Sequence, residues 1–360
     1  MNAYEAYRRT KFFGSLDGLR ALSILAVIWH HCGWQKVPGE WALAGTGYLG
    51  VHLFFVISGF LITTLLLREK EDTGRISLRD FYIRRTLRIF PLYYTVIGLY
   101  VVTVFLFEKN PADAREFFGN LPFFLTYTSN WFVQLEGRVI FYFAWSLAAE
   151  EQFYLVWPTV EKLLGVFAIP AIVGALLLAR TIVQETAPEA GLWATVLISI
   201  PPAILGGVML AHVLHVPRTY ALAERVLGFK FSGPIFLIGL IAAMGLLAPK
   251  WLIWTLMTLV VGSAVVHERN GLPFLRWRAL VYVGTISYGM YLFHLLCWNV
   301  VKRVVPWDAL WLPAALALTI VVAGLSFRYY ESRFLALKKR FASGSRARRQ
   351  PAPQAVQPVG

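Results

Sequence analysis

The first long apolar stretch of the chain carries ionisable residues at both of its ends. It runs from Leu16 to Trp34 and reads LDGLRALSILAVIWHHCGW. Because ten residues lie between Arg20 and His31, a helix places both side chains on one face, about 16 Å apart along its axis. His30 lies about 100° off that face. An imidazole can serve as a general base or a nucleophile, and we predict that role for His31.

Two later stretches place further ionisable residues in apolar surroundings. WSLAAEEQFYLVWP contains Glu150 and Glu151, and ISYGMYLFHLL contains His294. A carboxylate that orients a histidine is a common general-base arrangement, although a lone intramembrane histidine also fits a structural hydrogen bond to a neighbouring helix. Adjacent residues face different sides of a helix, so the two glutamates are not expected to act as one pair. One is predicted to face the bundle interior and the other the interface, and spacing leaves open which.

A cluster of arginines precedes Pro91 in the stretch RRTLRIFP. Arg85 and Arg88 are three residues apart and therefore share one helix face. Guanidinium groups bind phosphates through paired hydrogen bonds, so these two are candidate phosphate ligands. Ordinary anchoring of a membrane helix by basic residues is the alternative. In FFVISGF, the small residues Ser58 and Gly59 permit close helix packing or a passage for a thin substrate, and packing is the favoured interpretation.

Composition indicates that membrane helices must position these residues. The 360 residues are 58% hydrophobic and 15% charged, which is far more apolar than a soluble domain. Apolar runs long enough to span hydrocarbon recur along nearly the whole chain. The basic residues behind the net charge of +14 lie in the connections between these runs. Membrane lipids rather than nucleic acid are therefore the expected partners, and we predict an all-α, polytopic membrane helix bundle.

The apolar runs predict about ten transmembrane helices. They cover 16–34, 47–67, 90–107, a fourth from about 144, a fifth from about 166 that Pro170 breaks, 192–211, 231–248, 251–267, 280–298 and 309–327. Residues 68–88 are predicted as a basic hydrophilic loop, and 108–140 as a longer connection. With ten spans, 26 of the 34 Lys and Arg residues fall on one side of the membrane. This positive-inside signal predicts that both termini are cytoplasmic.

That topology assigns each candidate residue a depth. The candidate catalytic residues lie at similar depth toward the outer face, on three different helices, and the candidate phosphate ligands lie near the cytoplasmic face. The two sets are His31, Glu150 and His294, and Arg20, Arg85 and Arg88.

The remaining features predict one membrane domain without a metal site. Residues 1–335 are predicted to form that domain, and residues 336–360, basic and then rich in Pro and Gln, a disordered cytoplasmic tail. Cys32 and Cys297 lie in apolar context, which indicates neither a disulfide framework nor a zinc site. The other histidines are predicted to be structural or interfacial, namely His52, His212, His215 and His267.

Taken together, these stretches resemble the acyltransferase-3 family of integral membrane acyltransferases. The matching pieces occur in the family's order from about residue 15 to 335 and are highly specific as a set. They are SLDGLRALSILAVIWHH, GVHLFFVISGFLITTLL, RDFYIRRTLRIFPLYY, SNW at 129–131, WSLAAEEQFYLVWP, ISYGMYLFHLL and RYYES. The family's Arg/Lys-x10-His, RxxR, WSLxxE and YLxH motifs fall on Arg20 with His31, Arg85 with Arg88, Glu150 and His294.

The resemblance implies an enzyme of the bacterial inner membrane. Such an enzyme moves an acyl group, expected to be acetyl, from cytoplasmic acyl-CoA to a hydroxyl, often on a carbohydrate or glycan. His31 is then the base or nucleophile, with Glu150 orienting or tuning it and His294 assisting. The arginines hold the coenzyme, and no permanently bound cofactor is expected.

Two other classes of protein fit some of these features. In a proton-coupled transporter or flippase of a sugar or lipid-linked glycan, the intramembrane histidines and glutamate would relay protons. That class predicts inverted internal repeats, which the motif order does not show. A structural or sensory membrane protein is the third possibility, and acyl-CoA would not stabilise it.

Overall fold

The computed structural model describes residues 3–32, 42–166, 168–266 and 272–338, so 339–360 of the predicted tail lie outside it. Every regular element among the described residues is helical, which confirms the all-α prediction. The helices are α1 Ala3–Arg9, α2 Gly14–Cys32, α3 Ala42–Gly45, α4 Leu49–Thr73, α5 Leu78–Phe107, α6 Pro111–Leu125, α7 Ser129–Phe132, α8 Ala144–Leu163, α9 Ala168–Thr186, α10 Leu192–Ser199, α11 Pro202–His215, α12 Pro217–Leu227, α13 Ser232–Gly245, α14 Lys250–Val266, α15 Arg278–Thr285, α16 Ser287–Val304, α17 Trp311–Ser326 and α18 Ser332–Lys338.

Several of these helices have the length and composition of membrane spans. Among the described residues, four single helices are long and apolar enough to cross a membrane. The number rises to as many as eight if each pair of helices joined by a bend counts as one span. The four bent pairs are α1 with α2, α10 with α11, α12 with α13, and α15 with α16. Every apolar run predicted to span coincides with a helix or such a pair. By these criteria α8 is too charged and α14, with 17 residues, is short.

Two predicted breaks in the helices are wrong. The basic stretch 68–88 is not a loop, because α4 continues to Thr73 and α5 already begins at Leu78. Gly74, with φ 73°, ends α4 in the left-handed conformation that favours glycine, and Ser77 caps the start of α5. Pro170 does not break α9, since it lies in the first turn, where no amide hydrogen is needed.

The centre of the bundle depends on a close crossing of α4 and α11. A Cβ atom at Gly59 would lie 2.0 Å from the carbonyl oxygen of Ile204, and one at Gly207 would lie 2.1 Å from that of Val56. Only glycine permits this backbone approach. The prediction that Gly59 packs helices together is confirmed, although its neighbour Ser58 has a polar contact described below.

The bend between α15 and α16 positions the last predicted site residue. The two helices meet at 74°, and α15 packs against α2. A Cβ atom at Gly284 in α15 would lie 1.9 Å from the carbonyl oxygen of Asp17 in α2. This contact holds the start of α16, and with it Ser287 and Tyr291, against the helix that carries Arg20 and His31.

Replacing Gly207 with alanine is expected to destabilise the fold. The new methyl group would meet the rigid backbone of α4, and overpacking of this kind costs about 1–3 kcal/mol. Gly98→Ala in α5 is the matched control, because a Cβ atom there meets nothing within 4 Å. Thermal unfolding in detergent should show a lower melting temperature for Gly207→Ala and an unchanged or higher one for Gly98→Ala. Equal melting temperatures would contradict the close crossing.

Candidate active site

A cavity of about 310 Å³ lies among α2, α4, α5, α8 and α16. We call it the arginine cavity, because three guanidinium groups line it. Its wall also includes both glutamates of α8 and two tyrosines of α16. The polar lining residues that matter here are Arg20, Arg85, Arg88, Ser58, Glu150, Glu151, Tyr154, Ser146, Tyr288 and Tyr291.

The three arginines differ in how strongly the protein itself engages them. Arg20 donates to Asp17 one helical turn before it, at 2.7 Å. The guanidinium of Arg85 stacks over the rings of Phe81 and Tyr154, at 5.6 and 5.0 Å from their centroids. Arg88 is exposed, and within the described part of the chain neither Arg85 nor Arg88 forms a salt bridge. The cavity wall thus has three guanidinium groups against the two carboxyl groups of Glu150 and Glu151, and an excess of cations favours an anionic ligand.

Glu150 is held by two hydroxyl groups. Ser58 in α4 and Tyr154, one turn further along α8, both donate to the same carboxylate oxygen of Glu150. Glu151 lines the same cavity. The prediction that one glutamate faces the bundle interior and the other the interface is therefore wrong. Residues 100° apart on a helix can flank one broad cavity, and neither then faces away from it.

Part of the wall of the arginine cavity lies where α8 contacts α16. The hydroxyl groups of Ser146 and Tyr291 lie 2.5 Å apart, and Tyr291 also donates to the carbonyl oxygen of Phe143 at 3.0 Å. His294 lies one turn beyond Tyr291, with ring centroids 5.8 Å apart. In the described structure the cavity wall includes neither His294 nor His31.

His31 and His294 form a direct pair. Nδ1 of His31 lies 2.7 Å from Nε2 of His294, and Nδ1 of His294 lies 2.6 Å from the carbonyl oxygen of Tyr291. A carbonyl oxygen only accepts, so Nδ1 of His294 carries the hydrogen and, with both rings neutral, its Nε2 accepts from Nδ1 of His31. Nε2 of His31 then keeps a free lone pair, as a base or nucleophile requires.

The structure thus brings the predicted residues into two adjoining groups. The arginines and Glu150 share the cavity, as the spacing of Arg85 and Arg88 predicts, and the two histidines pair beside it. Glu150 does not contact His31 as the sequence suggested, because its carboxylate is engaged by Ser58 and Tyr154.

Sequence reasoning missed the hydroxyl groups that organise the site. Tyr154 and Ser146 lie four residues from Glu150, and Tyr291 lies three residues before His294. Helical spacing from an ionisable residue was a usable signal for these three. The contact between Ser58 and Glu150 joins two helices and has no such signal.

The remaining histidines are structural where they are described. Nε1 of Trp254 donates to Nδ1 of His52 at 2.8 Å. His212 is buried against Glu161 at 3.2 Å, which corrects the interfacial prediction, and His215 lies 3.3 Å from Glu71. His267 lies outside the described residues.

An all-helical bundle with span-length apolar helices around a buried polar cavity is the architecture of a multi-pass membrane protein. The chain belongs to the acyltransferase-3 family, since the family model described as an acyltransferase domain matches residues 13–328. The resemblance seen in the motifs is therefore confirmed.

Relatives of the chain carry acetyltransferase names. It is 28% identical over 361 residues to the peptidoglycan O-acetyltransferase OatA of Listeria monocytogenes, which covers 89% of this chain and 56% of OatA. Identity is also 28% over 340 residues to YrhL of Bacillus subtilis, provisionally named for the same activity, covering 81% of this chain and 49% of YrhL. A Staphylococcus aureus protein provisionally named an O-acetyltransferase is 35% identical over 164 residues, 44% of this chain and 26% of its own. The chain thus spans about half the length, or less, of these relatives, and no solved structure matches it.

Proposed function

We propose that this protein is a membrane O-acyltransferase that transfers an acetyl group from acetyl-CoA to a hydroxyl of a glycan. The observation that carries the proposal is the adjacency of two sites. Tyr291 lines the arginine-lined cavity, and one helical turn further along α16 lies a histidine pair with a free imidazole lone pair. The family and the names of the relatives support acyl transfer as the chemistry.

The arginine cavity is the proposed site of the acyl-CoA donor. Arg85 and Arg88 are free to bind phosphate oxygens with charge-assisted hydrogen bonds, and Arg20 adds a third positive charge. The thin pantetheine arm then extends toward Ser146 and Tyr291. These two hydroxyl groups are hydrogen-bonded to each other in the cavity wall, and the proposed path of the acyl group to His31 passes their contact.

His31 is the proposed proton acceptor or nucleophile. As a base, its Nε2 removes the proton of the acceptor hydroxyl while that oxygen attacks the thioester carbonyl. Collapse of the tetrahedral intermediate breaks the carbon–sulfur bond, and the proton passes to the departing thiolate of coenzyme A. As a nucleophile, the same nitrogen would first carry the acetyl group. A radiolabelled acyl-enzyme trapped with acceptor omitted distinguishes the second route from the first.

Glu150 is proposed to act at the cavity rather than on His31. Its carboxylate fixes Ser58 and Tyr154, and the ring of Tyr154 stacks on Arg85. Glu150 thereby positions one of the arginines that bind the donor. This role replaces the direct orientation of His31 expected from the sequence.

The proposed setting is a bacterial inner membrane crossed about ten times, with both termini cytoplasmic. The charge distribution of the connections supports this orientation. Residues 1–335 are then one membrane domain, and 336–360 a cytoplasmic tail. The arginine cavity opens toward the donor's compartment, and cell-wall glycan of the kind named for OatA is the proposed acceptor.

The direct test uses purified protein in lipid nanodiscs with radiolabelled acetyl-CoA and peptidoglycan fragments. Mass spectrometry of the glycan should show added acetyl groups that depend on both protein and acetyl-CoA. Acetylation that proceeds without acetyl-CoA would contradict the proposed donor. Glycan that moves across the membrane of proteoliposomes unmodified would contradict acyl transfer and favour a transporter.

Replacing His294 with leucine is expected to weaken catalysis by removing the hydrogen-bond acceptor of His31. Without Nε2 of His294, the hydrogen of His31 is no longer directed to Nδ1, and kcat should fall by about a hundredfold or less. The donor KM should stay unchanged, because His294 does not line the cavity. His294→Gln, whose side-chain carbonyl oxygen still accepts a hydrogen bond, is the companion variant and should keep more activity, and a pH profile of kcat should shift in His294→Leu. An unchanged profile would show that His294 only fills space.

A further inference from the structure

We infer that a second cavity, on the far side of the histidine pair, binds the acceptor glycan. It has a volume of about 570 Å³ and lies between α5 and α16, beside residues 138–142. We call it the Tyr100 groove. Its lining includes the aromatic side chains of Tyr100, Phe107 and Tyr142 and the polar side chains of Thr103 and Asn299. The inference rests on the proposed function, whose acceptor it places.

Tyr142 connects this groove to the candidate base. Its ring packs edge-on against His31, with centroids 5.2 Å apart and planes at 74°. The same tyrosine lines the groove. The histidine pair therefore lies between the arginine cavity, which it meets through Tyr291, and the Tyr100 groove, which it meets through Tyr142. This arrangement would let each substrate reach one base from its own side, with the reacting groups brought close together.

Tyr100, which lines the groove, carries a buried hydroxyl without a hydrogen-bond partner in the described part of the chain. Tyr100 is only 4% exposed, and its hydroxyl has no hydrogen-bond partner among the described residues. A buried polar group without a partner is costly unless a ligand or water supplies one. Asn299 also lines the groove, is exposed, and forms no hydrogen bond with described residues. Aromatic walls with a few unpaired hydroxyl and amide groups suit the apolar faces and hydroxyl groups of a sugar.

The charged residues at the edge of the groove lie on the side of the membrane opposite the proposed donor site. Arg138 donates to Glu108 at 2.9 Å and also pairs with Asp113, and Arg303 lies over the ring of Phe107. The hydrogen bond from Arg138 lowers the pKa of Glu108, so this rim is ionised at neutral pH. In the ten-span topology these charged residues all lie on the outer side. A glycan outside the cell thus meets the groove directly.

Two variants test the groove while leaving the histidine pair and the arginine cavity unchanged. Tyr100→Phe removes only the unpartnered hydroxyl, and the acceptor KM should rise about fivefold. Val300 lines the groove and is 51% exposed, so Val300→Trp fills it with little disturbance of the core. That variant should lose transfer to glycan while acetyl-CoA binds as in the wild type. Initial rates against glycan concentration, at saturating acetyl-CoA, and calorimetric donor affinity are the measurements.

Two controls make the outcome decisive. Tyr94→Phe, on the same helix but outside the groove, should leave the acceptor KM unchanged. Lys250 lines another cavity of about 290 Å³, together with Trp145 and Trp254. Lys250→Gln therefore tests that cavity as an alternative acceptor site. If Lys250→Gln raises the acceptor KM and the two groove variants do not, the acceptor binds there and the inference is overturned. It is equally overturned if the groove variants release bound lipid yet transfer acetyl groups normally. Wild-type protein that transfers nothing would instead refute the proposed function.

Discussion

Replacing His31 with glutamine is expected to reduce acetyl transfer about a thousandfold. A positioned general base contributes roughly 10²–10⁴-fold, and glutamine keeps a polar group of similar size without a basic nitrogen. The loss should appear in kcat, because His31 lies outside the arginine cavity, which is the proposed donor site. Initial rates with radiolabelled acetyl-CoA and glycan give the measurement.

His30→Gln is the matched control for that experiment. His30 is the adjacent residue. Its ring lies 5.5 Å from that of His31 and 5.6 Å from that of Tyr48, between centroids, and it is not part of the hydrogen-bonded pair of His31 and His294. We expect this variant to retain transfer within about threefold, as for a residue outside the reacting groups. The opposite result, with His30→Gln inactive and His31→Gln active, would reassign the base to the other histidine.

The second large effect is expected at Arg88. Arg88→Gln removes a charged donor from the proposed phosphate site, and hydrogen bonds to charged groups contribute about 1.5–3 kcal/mol. The KM for acetyl-CoA should therefore rise by at least about tenfold, while kcat at saturation changes little. The difference between variant and wild type should shrink at high salt, because screening weakens the lost attraction.

Arg84→Gln provides the comparison, since Arg84 lies on the same helix but pairs with Glu69 at 3.1 Å. It removes the same charge from outside the cavity wall. A normal donor KM in Arg84→Gln is expected. Equal increases in the two variants would mean that overall positive charge, rather than the cavity, attracts the coenzyme.

Much of the helical framework is predictable from hydrophobicity alone. The apolar runs coincide with helices because a chain in hydrocarbon must satisfy its backbone hydrogen bonds internally. The basic stretch at 68–88 is predicted wrongly, because charge indicates contact with water and does not indicate loss of helix. Only Gly74 and Ser77 mark the actual turn, and their signals are short and local.

Site residues that lie together on one helix are predictable from their spacing, and contacts between residues of two helices are not. The spacing of Arg85 and Arg88 is enough to place both in one cavity. The pairing of His31 with His294, and of Ser58 with Glu150, depends on the rotation of helices against each other. That rotation follows from contacts between helices, such as that of Gly59 in α4 with α11 and that of Gly284 in α15 with α2. Periodicity within a single helix does not reveal these contacts.

The sidedness of transfer shows whether the histidine pair is reached from both faces of the membrane. Proteoliposomes containing protein of one orientation can receive acetyl-CoA on one face and glycan on the other. We predict acetylated glycan only when acetyl-CoA is on the face toward which the arginine cavity is proposed to open and the glycan is on the opposite face. Product formed only with both substrates on the same face would contradict a histidine pair that is reached from two sides.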